Sequence, residues 1–120
     1  MSYLSKEQEV QSMIAEGKLL EAFEKFYADN VVMVEATGET TEGKDANRKR
    51  EEQFVSGLAE MHGGGVKSMT SNEDDGVTMA EVWMDASFKD GNRVKMEQVS
   101  VKKWEDNKIV HERFYYNMPG

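Results

Sequence analysis

Hydrophobic residues recur at helical spacing in the first part of the chain. Ser5 followed by Gln8 resembles a capping box, and Gly17 is typical of a helix end. Between them, three apolar residues follow the helical period: Val10, Met13 and Ile14. A second helix is predicted from an apolar stripe made of Leu19, Leu20, Phe23, Phe26 and Tyr27. Such a stripe is typical of a core-facing surface, although the Tyr27 hydroxyl could also reach a cavity.

The pattern then changes to one strand and one long helix. Residues 31–35 form a β-branched and apolar run that predicts a strand ending at Glu35, and residues 36–43 are rich in turn formers. A third helix is predicted over residues 44–61. The three glycines in residues 62–65 predict a flexible stop after it.

The remainder of the chain alternates in the manner of β-strands. Strands are predicted over residues 66–69, 77–88, 94–104 and 109–116, separated by polar turns. Helices followed by a meander indicate the α+β class. We therefore predict a single domain over residues 1–120: a cone-shaped α+β barrel, with three N-terminal helices packed on one strongly curved, mixed and mostly antiparallel sheet.

The last two strands offer side chains suited to a small-molecule pocket inside this cone. Strand alternation places one set on a common face of the first strand: Met96, Gln98, Ser100, Lys102 and Trp104. It places a second set on one face of the last strand: Glu112, Phe114 and Tyr116. Each set mixes aromatic rings with hydrogen-bonding groups, which favours a small apolar organic ligand.

Glu112 requires a partner if it is buried on that face, because an unpaired buried carboxylate is costly. Gln98, Lys102 or Arg113 could supply the partner. A structural ion pair and a catalytic role are therefore both open for Glu112.

The composition limits the classes of partner and chemistry. With 15 basic and 23 acidic residues, the net charge is −8, which argues against nucleic acid and anionic membranes as partners. The one basic run, residues 48–50, is followed by two glutamates and is interpreted as a solvated helix face. The absence of cysteine excludes disulfides and thiolate chemistry, and two separated histidines predict no metal site. No cofactor is expected.

The N-terminal residues lack the apolar core of a signal peptide, and no apolar run is long enough to span a membrane. A cytoplasmic location is expected.

The other face of the sheet carries a second apolar set, made of Trp83, Val99, Val101 and Tyr115, with Met79 beside Trp83 by alternation. An apolar stripe turned away from the helices is unfavourable in water. We therefore expect a homodimer that packs sheet to sheet.

Three segments carry a resemblance to the nuclear transport factor 2-like superfamily, in its SnoaL-like and ketosteroid-isomerase-like branch. They are residues 26–35 (FYADNVVMVE), the Glu42-Gly43 pair before the third helix, and residues 99–117 (VSVKKWEDNKIVHERFYYN). With the order of elements, the resemblance covers nearly the whole chain. It implies the cone fold strongly and a function weakly, because this superfold serves many chemistries.

The resemblance also implies candidate site residues. In the isomerases a general-base carboxylate ends the first strand, and Glu35 stands at that position. Ser100 stands where those enzymes have an oxyanion-binding acid, so ketosteroid isomerisation itself is not expected. The catalytic candidates are Glu35 and Glu112. The candidate ligand-binding residues are Tyr27, Met33, Gln98, Ser100, Trp104, Phe114 and Tyr116.

Two function classes remain open. The first is a small enzyme that transfers a proton on an apolar carbonyl compound without a cofactor, as an isomerase or cyclase does, with Glu35 as base. The second is a non-catalytic small-molecule-binding or dimerisation domain. A cone filled by Met33, Met96, Trp104 and Phe114 would favour the second class.

Overall fold

The N-terminal part of the chain forms two helices that begin and end close to the predicted positions. The computed structural model describes residues 2–117. Helix α1 spans Tyr3–Ala15, and its N-cap is Ser2, whose hydroxyl accepts a hydrogen bond from the Ser5 amide. The capping box predicted at Ser5 is therefore wrong, because Ser5 already lies in the first turn. Among the described residues, no helix is both long and apolar enough to cross a membrane.

Helix α2 spans Leu19–Phe26 and passes directly into strand β1, Tyr27–Val34. Tyr27 was placed on the helical stripe by its spacing, but it is the first residue of the strand. Its ring still packs against the stripe, since it stacks on Phe23 with ring centroids 4.8 Å apart. A short strand, β2 (Thr40–Glu42), lies within the segment predicted to be turn alone.

Helix α3 spans Lys44–Gly57 and is shorter than predicted, because the chain turns directly into strand β3, Leu58–Asn72. The three glycines thus lie inside a strand and form no flexible stop. The Trp83 ring covers them: a Cβ added to Gly63 would lie 2.9 Å from Trp83 Cη2, and one added to Gly65 would lie 3.3 Å from Nε1. An aromatic residue on a neighbouring strand can stabilise glycine in a sheet in this way.

The remaining strands are β4 (Val77–Phe88), β5 (Arg93–Glu105) and β6 (Lys108–Tyr115). The six strands form one sheet in the order β2-β1-β6-β5-β4-β3. Strand β1 pairs with β6 in parallel, and the other neighbours are antiparallel. The predicted α+β class and mixed, mostly antiparallel curved sheet are confirmed. The sheet is unclosed, with β2 and β3 at its edges.

The helices lie across the concave face of this sheet, where α1 contacts β3 and β4 and α3 contacts β1 and β2. The core between them consists of buried apolar side chains: Val10, Phe23, Phe26, Tyr27, Val31, Met33, Trp104 and Ile109. Trp104 is its centre, since Phe26 packs edge-on against it at 6.0 Å and Tyr3 lies 5.7 Å away. The narrow part of the cone is therefore filled by aromatic packing.

The face of the sheet opposite the helices exposes large apolar side chains. Met79 is 43%, Trp83 39% and Tyr115 50% exposed. Val99 and Val101 are partly buried on the neighbouring strand, where Val99 is paired with Tyr115. The dimer expected from the sequence thus stays a prediction with a defined surface.

We predict that this convex face forms a homodimer, and that Met79→Glu or Trp83→Glu yields a monomer, because a carboxylate there would be desolvated in the interface. Light scattering at micromolar concentration measures the change. Lys89→Glu, in the exposed β4–β5 turn, adds negative charge away from the face and should leave the dimer intact. A monomeric wild type, or dimeric Met79→Glu and Trp83→Glu variants, would contradict the prediction.

Candidate functional site

A chain of charged side chains is buried between helix α1 and the concave face of the sheet. Lys102 of β5 lies between two carboxylates: its Nζ is 3.1 Å from Glu7 of α1 and 3.3 Å from Glu112 of β6. All three residues are at most 3% exposed. The partner that the sequence left open for Glu112 is therefore Lys102, which Glu7 of the first helix also contacts.

Each oxygen of Glu112 is occupied. The Tyr27 hydroxyl donates a hydrogen bond to Oε1 at 2.5 Å, and the Ser100 hydroxyl donates to Oε2 at 2.7 Å. Burial, together with the adjacent Glu112 charge, raises the pKa of Tyr27 well above its usual range. Tyr27 therefore stays a neutral donor, and Glu112 is held in one orientation.

At the other end of this row of buried charges, the hydrogen-bonding capacity of Glu7 is also filled. Glu7 accepts hydrogen bonds from Thr78 (2.8 Å), Gln11 (2.9 Å) and Lys102 (3.1 Å), and Trp104 Nε1 donates to the Thr78 hydroxyl at 2.9 Å. Burial alone would lower the pKa of Lys102, but the charges of Glu112 and Glu7 outweigh it and raise that pKa. Lys102 is therefore a cation that ties α1 to strands β5 and β6.

A second polar group lies where β1 ends, and we call it the mouth of the cone: Glu35, Arg50 and Tyr116. Arg50 of α3 contacts Glu35 Oε1 at 3.1 Å, and the Tyr116 hydroxyl donates to Oε2 at 3.1 Å. The Glu35 side chain is 27% exposed. Burial and the Glu35 charge raise the pKa of Tyr116. Glu35 is thus held between Arg50 of helix α3 and Tyr116, with about a quarter of its side chain exposed.

Glu51 follows Arg50 on α3 and is partly buried. Burial raises its pKa to about 7, the charges of Glu112 and Glu35 add to the rise, and Arg50 opposes it. A carboxyl group with this pKa can both hold and release a proton near neutral pH. Glu51 therefore lies between the buried chain and the mouth as a titratable group.

The structure separates the sequence candidates into three groups. Glu35 and Tyr116 meet at the mouth, while Tyr27 and Ser100 bind Glu112 in the interior. Of the other four candidates, Met33 and Trp104 are in the core, and Phe114 packs against it. Gln98 lies on the inner face of β5, two residues before Ser100, and within residues 2–117 it shares no side-chain hydrogen bond with the other candidates.

Four residues of these networks were missed by sequence reasoning: Glu7, Asn47, Arg50 and Glu51. The basic run at residues 48–50 was interpreted as a solvated helix face. Lys49 is exposed, whereas Arg48 and Arg50 are 34% and 36% exposed and each binds a glutamate, Glu24 and Glu35 respectively. The available indication was the spacing of Asn47, Glu51 and Phe54, which puts polar residues on the inner stripe of α3. Glu7 gave no comparable indication, since a glutamate in a first helix is ordinarily exposed.

The depressions found on the described surface lie away from both networks. One, of about 510 Å³, is an open hollow on α2 lined by Leu20, Glu21, Glu24 and Lys25. Another lies beside the β3–β4 turn and involves Glu73, whose carboxylate accepts hydrogen bonds from the first amides of α1. Neither reaches Glu35 or Glu112.

We predict that Lys102→Met destabilises the fold by about 3–5 kcal/mol near neutral pH, because it leaves two buried carboxylates without their counter-charge. Urea unfolding followed by circular dichroism measures the loss. Lys103→Met changes the exposed neighbour on the same strand and is expected to alter stability by less than about 1 kcal/mol. Equal stabilities for the two variants would contradict a role for the buried charge.

A pH-dependent effect is predicted for Glu51. Because the folded state binds the Glu51 proton more tightly than the unfolded chain, this group stabilises the fold fully below about pH 4 and loses that contribution as the pH rises through about 7. Glu51→Gln should therefore be more stable than the wild type at about pH 8, by up to about 3 kcal/mol. The difference should shrink on acidification.

Urea unfolding at several pH values measures this difference, and Glu52→Gln, an exposed neighbour, is the matched control. Parallel pH profiles for the wild type and Glu51→Gln would show that Glu51 titrates normally.

The chain resembles known structures along nearly its whole length. A protein from Mesorhizobium loti, provisionally described as a SnoaL-like polyketide cyclase, is 28% identical, with a TM-score of 0.84 over 97% of this chain and 100% of that one. A provisionally described isomerase from Bacillus subtilis is 18% identical, with a TM-score of 0.80 over 98% and 90% of the two chains. A Pseudomonas putida protein, provisionally described as a polyketide cyclase, is 15% identical, with a TM-score of 0.80 over 98% and 93%.

The last two show a shared fold alone, and no curated protein is significantly similar to the chain in sequence. Residues 6–116, however, match a family of domains. This match, with the three helices on a curved six-stranded sheet, confirms the resemblance: the chain belongs to the SnoaL-like domain family.

Proposed function

We propose that the domain binds a small, largely apolar carbonyl compound at the mouth of the cone and removes a proton beside the carbonyl group. The observation that carries the proposal is the meeting of Glu35, Arg50 and Tyr116, with Arg50 and Tyr116 each 3.1 Å from a Glu35 oxygen. A carboxylate, a guanidinium and a phenol are the groups that such a reaction needs, and here they come from three different elements.

The chemistry follows from the donor and acceptor properties of these groups. Glu35 accepts the proton from the carbon next to the carbonyl, and the electron pair of that bond moves onto the carbonyl oxygen. Arg50 and Tyr116 are hydrogen-bond donors next to Glu35, so they can bind this oxygen as its negative charge develops. The sequence has Ser100 where the isomerases have an oxyanion-binding acid. Arg50 is a donor of a different kind.

Glu112, the second catalytic candidate, fits a structural role better in this proposal. Its two oxygens are bound by Tyr27 and Ser100, and Lys102 neutralises its charge. A base must be within reach of the substrate, and Glu112 is only 3% exposed, whereas the Glu35 side chain is 27% exposed. Glu112 instead holds strand β6, and through it Tyr116, in place.

One relative supports the same class of reaction. The Mesorhizobium loti protein, 28% identical, is provisionally described as a SnoaL-like polyketide cyclase, with carbohydrate phosphatase as a second description. Cyclisation of a polyketide begins with removal of an acidic proton next to a carbonyl. The proposal therefore needs no chemistry outside the class that the first description names.

The second candidate function is a binding or dimerisation domain without catalysis. The filled interior favours it, because Met33 and Trp104 are buried in the core and Phe114 packs against them. A ligand would then be confined to the mouth, where only part of its surface could be buried.

Proton removal can be tested with 2-tetralone, a neutral ketone with acidic protons next to its carbonyl. We predict that the wild type accelerates exchange of these protons in D₂O, and that Glu35→Gln reduces the acceleration about a hundred-fold or more. Proton NMR measures the exchange. Glu39→Gln is the matched control, since the exposed Glu39 also contacts Arg50 but on the outside, and it should keep the activity. Binding of the ketone without any exchange would favour the non-catalytic function.

A further inference from the structure

Three side chains on the convex face of the sheet lie in contact with one another, and we call them the Ser87 cluster: Glu60, His62 and Ser87. His62 Nε2 is 2.7 Å from the Ser87 hydroxyl oxygen, and Nδ1 of the same ring is 3.6 Å from a Glu60 carboxylate oxygen. The next residue, Phe88, packs on helix α3, so Ser87 points away from the helices and from the mouth. A serine, a histidine and a carboxylate in this order are a nucleophile, its base and the group that orients the base.

A bulge in strand β3 brings the cluster together. Glu60 is paired directly with Ser87, and residues that lie opposite each other share a face of the sheet. After Met61 the register on β4 shifts by one residue, and His62 is the extra residue. In a regular ladder His62 would lie opposite Asp85, whereas here its ring is within hydrogen-bond distance of Ser87. Bulges re-aim side chains in this way and are over-represented next to active sites.

The Glu60 carboxylate sets the direction of the hydrogen bond between Ser87 and His62. A neutral imidazole carries one N–H, and its other nitrogen is an acceptor. A negative charge beside Nδ1 favours the tautomer with the proton on that nitrogen. Nε2 is then the acceptor, and the Ser87 hydroxyl donates to it. In this direction His62 can take the serine proton.

Arg93 of β5 places a hydrogen-bond donor on the other side of the serine. It is the partner of Ser87 on β5, as Glu60 is on β3, so its side chain lies on the same face. Its Nε and Nη2 donate to Asp85 at 3.0 and 2.9 Å. Within residues 2–117, Nη1 of Arg93 has no side-chain acceptor. This donor can therefore bind a carbonyl oxygen that gains negative charge beside Ser87.

The cluster is open to solvent at one end of the convex face. The side chains of His62 and Glu60 are 23% and 69% exposed, and Ser87 is half-buried. Ser87 is four residues beyond Trp83 on β4, which corresponds to about 13 Å along a strand. A dimer that covers Trp83 therefore need not cover Ser87.

We propose that Ser87 is a nucleophile activated by His62, and that it accepts the acyl group of small, uncharged aryl esters. The inference is independent of the function proposed for the mouth. Glu60 and Asp85 carry negative charge next to Ser87, so an anionic acyl group would be repelled. The open surface holds a substrate weakly, so the ester must have a good leaving group such as a phenolate.

The step balances with the ester and water as the reactants. The Ser87 oxygen attacks the carbonyl carbon while its proton passes to His62 Nε2, and the electron pair of the carbonyl double bond moves onto oxygen, where Arg93 donates to it. When this pair returns, the bond to the phenol oxygen breaks and His62 gives the proton to the leaving group. Water then attacks the acyl-serine with His62 again as base, which releases the carboxylic acid and restores Ser87.

The first experiment incubates the protein with 4-nitrophenyl acetate and measures 4-nitrophenolate release, with acid quenching and peptide mapping to locate acetyl groups. We expect acetylation of wild-type Ser87 and its loss in Ser87→Ala. Acetylation of Ser87 should be about a hundred-fold slower in His62→Gln, because the base is removed.

Two variants are matched controls for this experiment. Ser71→Ala removes a half-buried serine of β3 whose hydroxyl donates to Glu73 at 2.5 Å, and His111→Gln removes the other histidine of the chain. Both should acetylate Ser87 at the wild-type rate. The proposal is overturned if the wild type neither acetylates Ser87 nor releases phenolate faster than Ser87→Ala, or if His62→Gln matches the wild type.

The second experiment uses ¹⁵N NMR to locate the proton on the neutral His62 ring, whose resonances are those absent from His62→Gln. We expect the proton on Nδ1 in the wild type. Glu60 acts through His62 as a positioning residue, so Glu60→Gln should shift the proton toward Nε2 and slow the acetylation of Ser87. Glu105→Gln, an exposed change on β5, should do neither. A proton on Nε2 of the wild-type ring would make Ser87 the acceptor and would overturn the proposal without the use of any variant at Ser87.

Discussion

The fold depends on one buried cation. Lys102 lies between Glu7 and Glu112, so it connects the first helix to the last strand, and its contact with Glu7 joins residues 95 apart in sequence. Burying an ion pair has an unfavourable desolvation free energy, which is offset only when the geometry is good and the remaining hydrogen-bonding groups are satisfied. Here Tyr27, Ser100, Gln11 and Thr78 complete the set. The charges thereby fix the register between α1 and the sheet, which apolar packing alone specifies less sharply.

The narrow part of the cone and its mouth therefore differ in how much room they leave for a ligand. The narrow part is occupied by aromatic rings around Trp104 and by the saturated Glu7–Lys102–Glu112 chain, so it offers a ligand little room. The polar groups with incomplete or exposed contacts, Glu35 and Glu51, lie toward the end of β1 and on the inner stripe of α3. The chemistry proposed for this domain therefore belongs to the mouth, where helix α3 contributes Arg50 beside Glu35.

The sequence predicted the order and class of elements because alternation and helical period are strong where one face is buried, as in β4, β5 and β6. It placed Tyr27 in a helix because a helical stripe and the start of a buried strand share the same apolar residues. It missed the strand character of the glycines because their stabilisation comes from Trp83, almost twenty residues later, and no local pattern contains that contact. The inward-facing residues of the last strands were predictable from alternation. The partial burial of Arg50 and Glu51 was not predictable, because it depends on how α3 packs on β1.

Glu112 shows why an inward-facing carboxylate predicted from strand alternation cannot be given a catalytic role before its contacts are known. An inward carboxylate on the last strand has the position expected of an acid or base, but here Lys102 compensates its charge and two hydroxyl groups occupy its oxygens. Releasing it for catalysis would remove one of the two counter-charges of the buried Lys102, so its reactivity and the stability of the fold oppose each other. Glu51 is under no such constraint, because removing its charge relieves repulsion instead of breaking a pair. Replacing Glu51 is therefore expected to leave the buried contacts of Glu7, Lys102 and Glu112 intact.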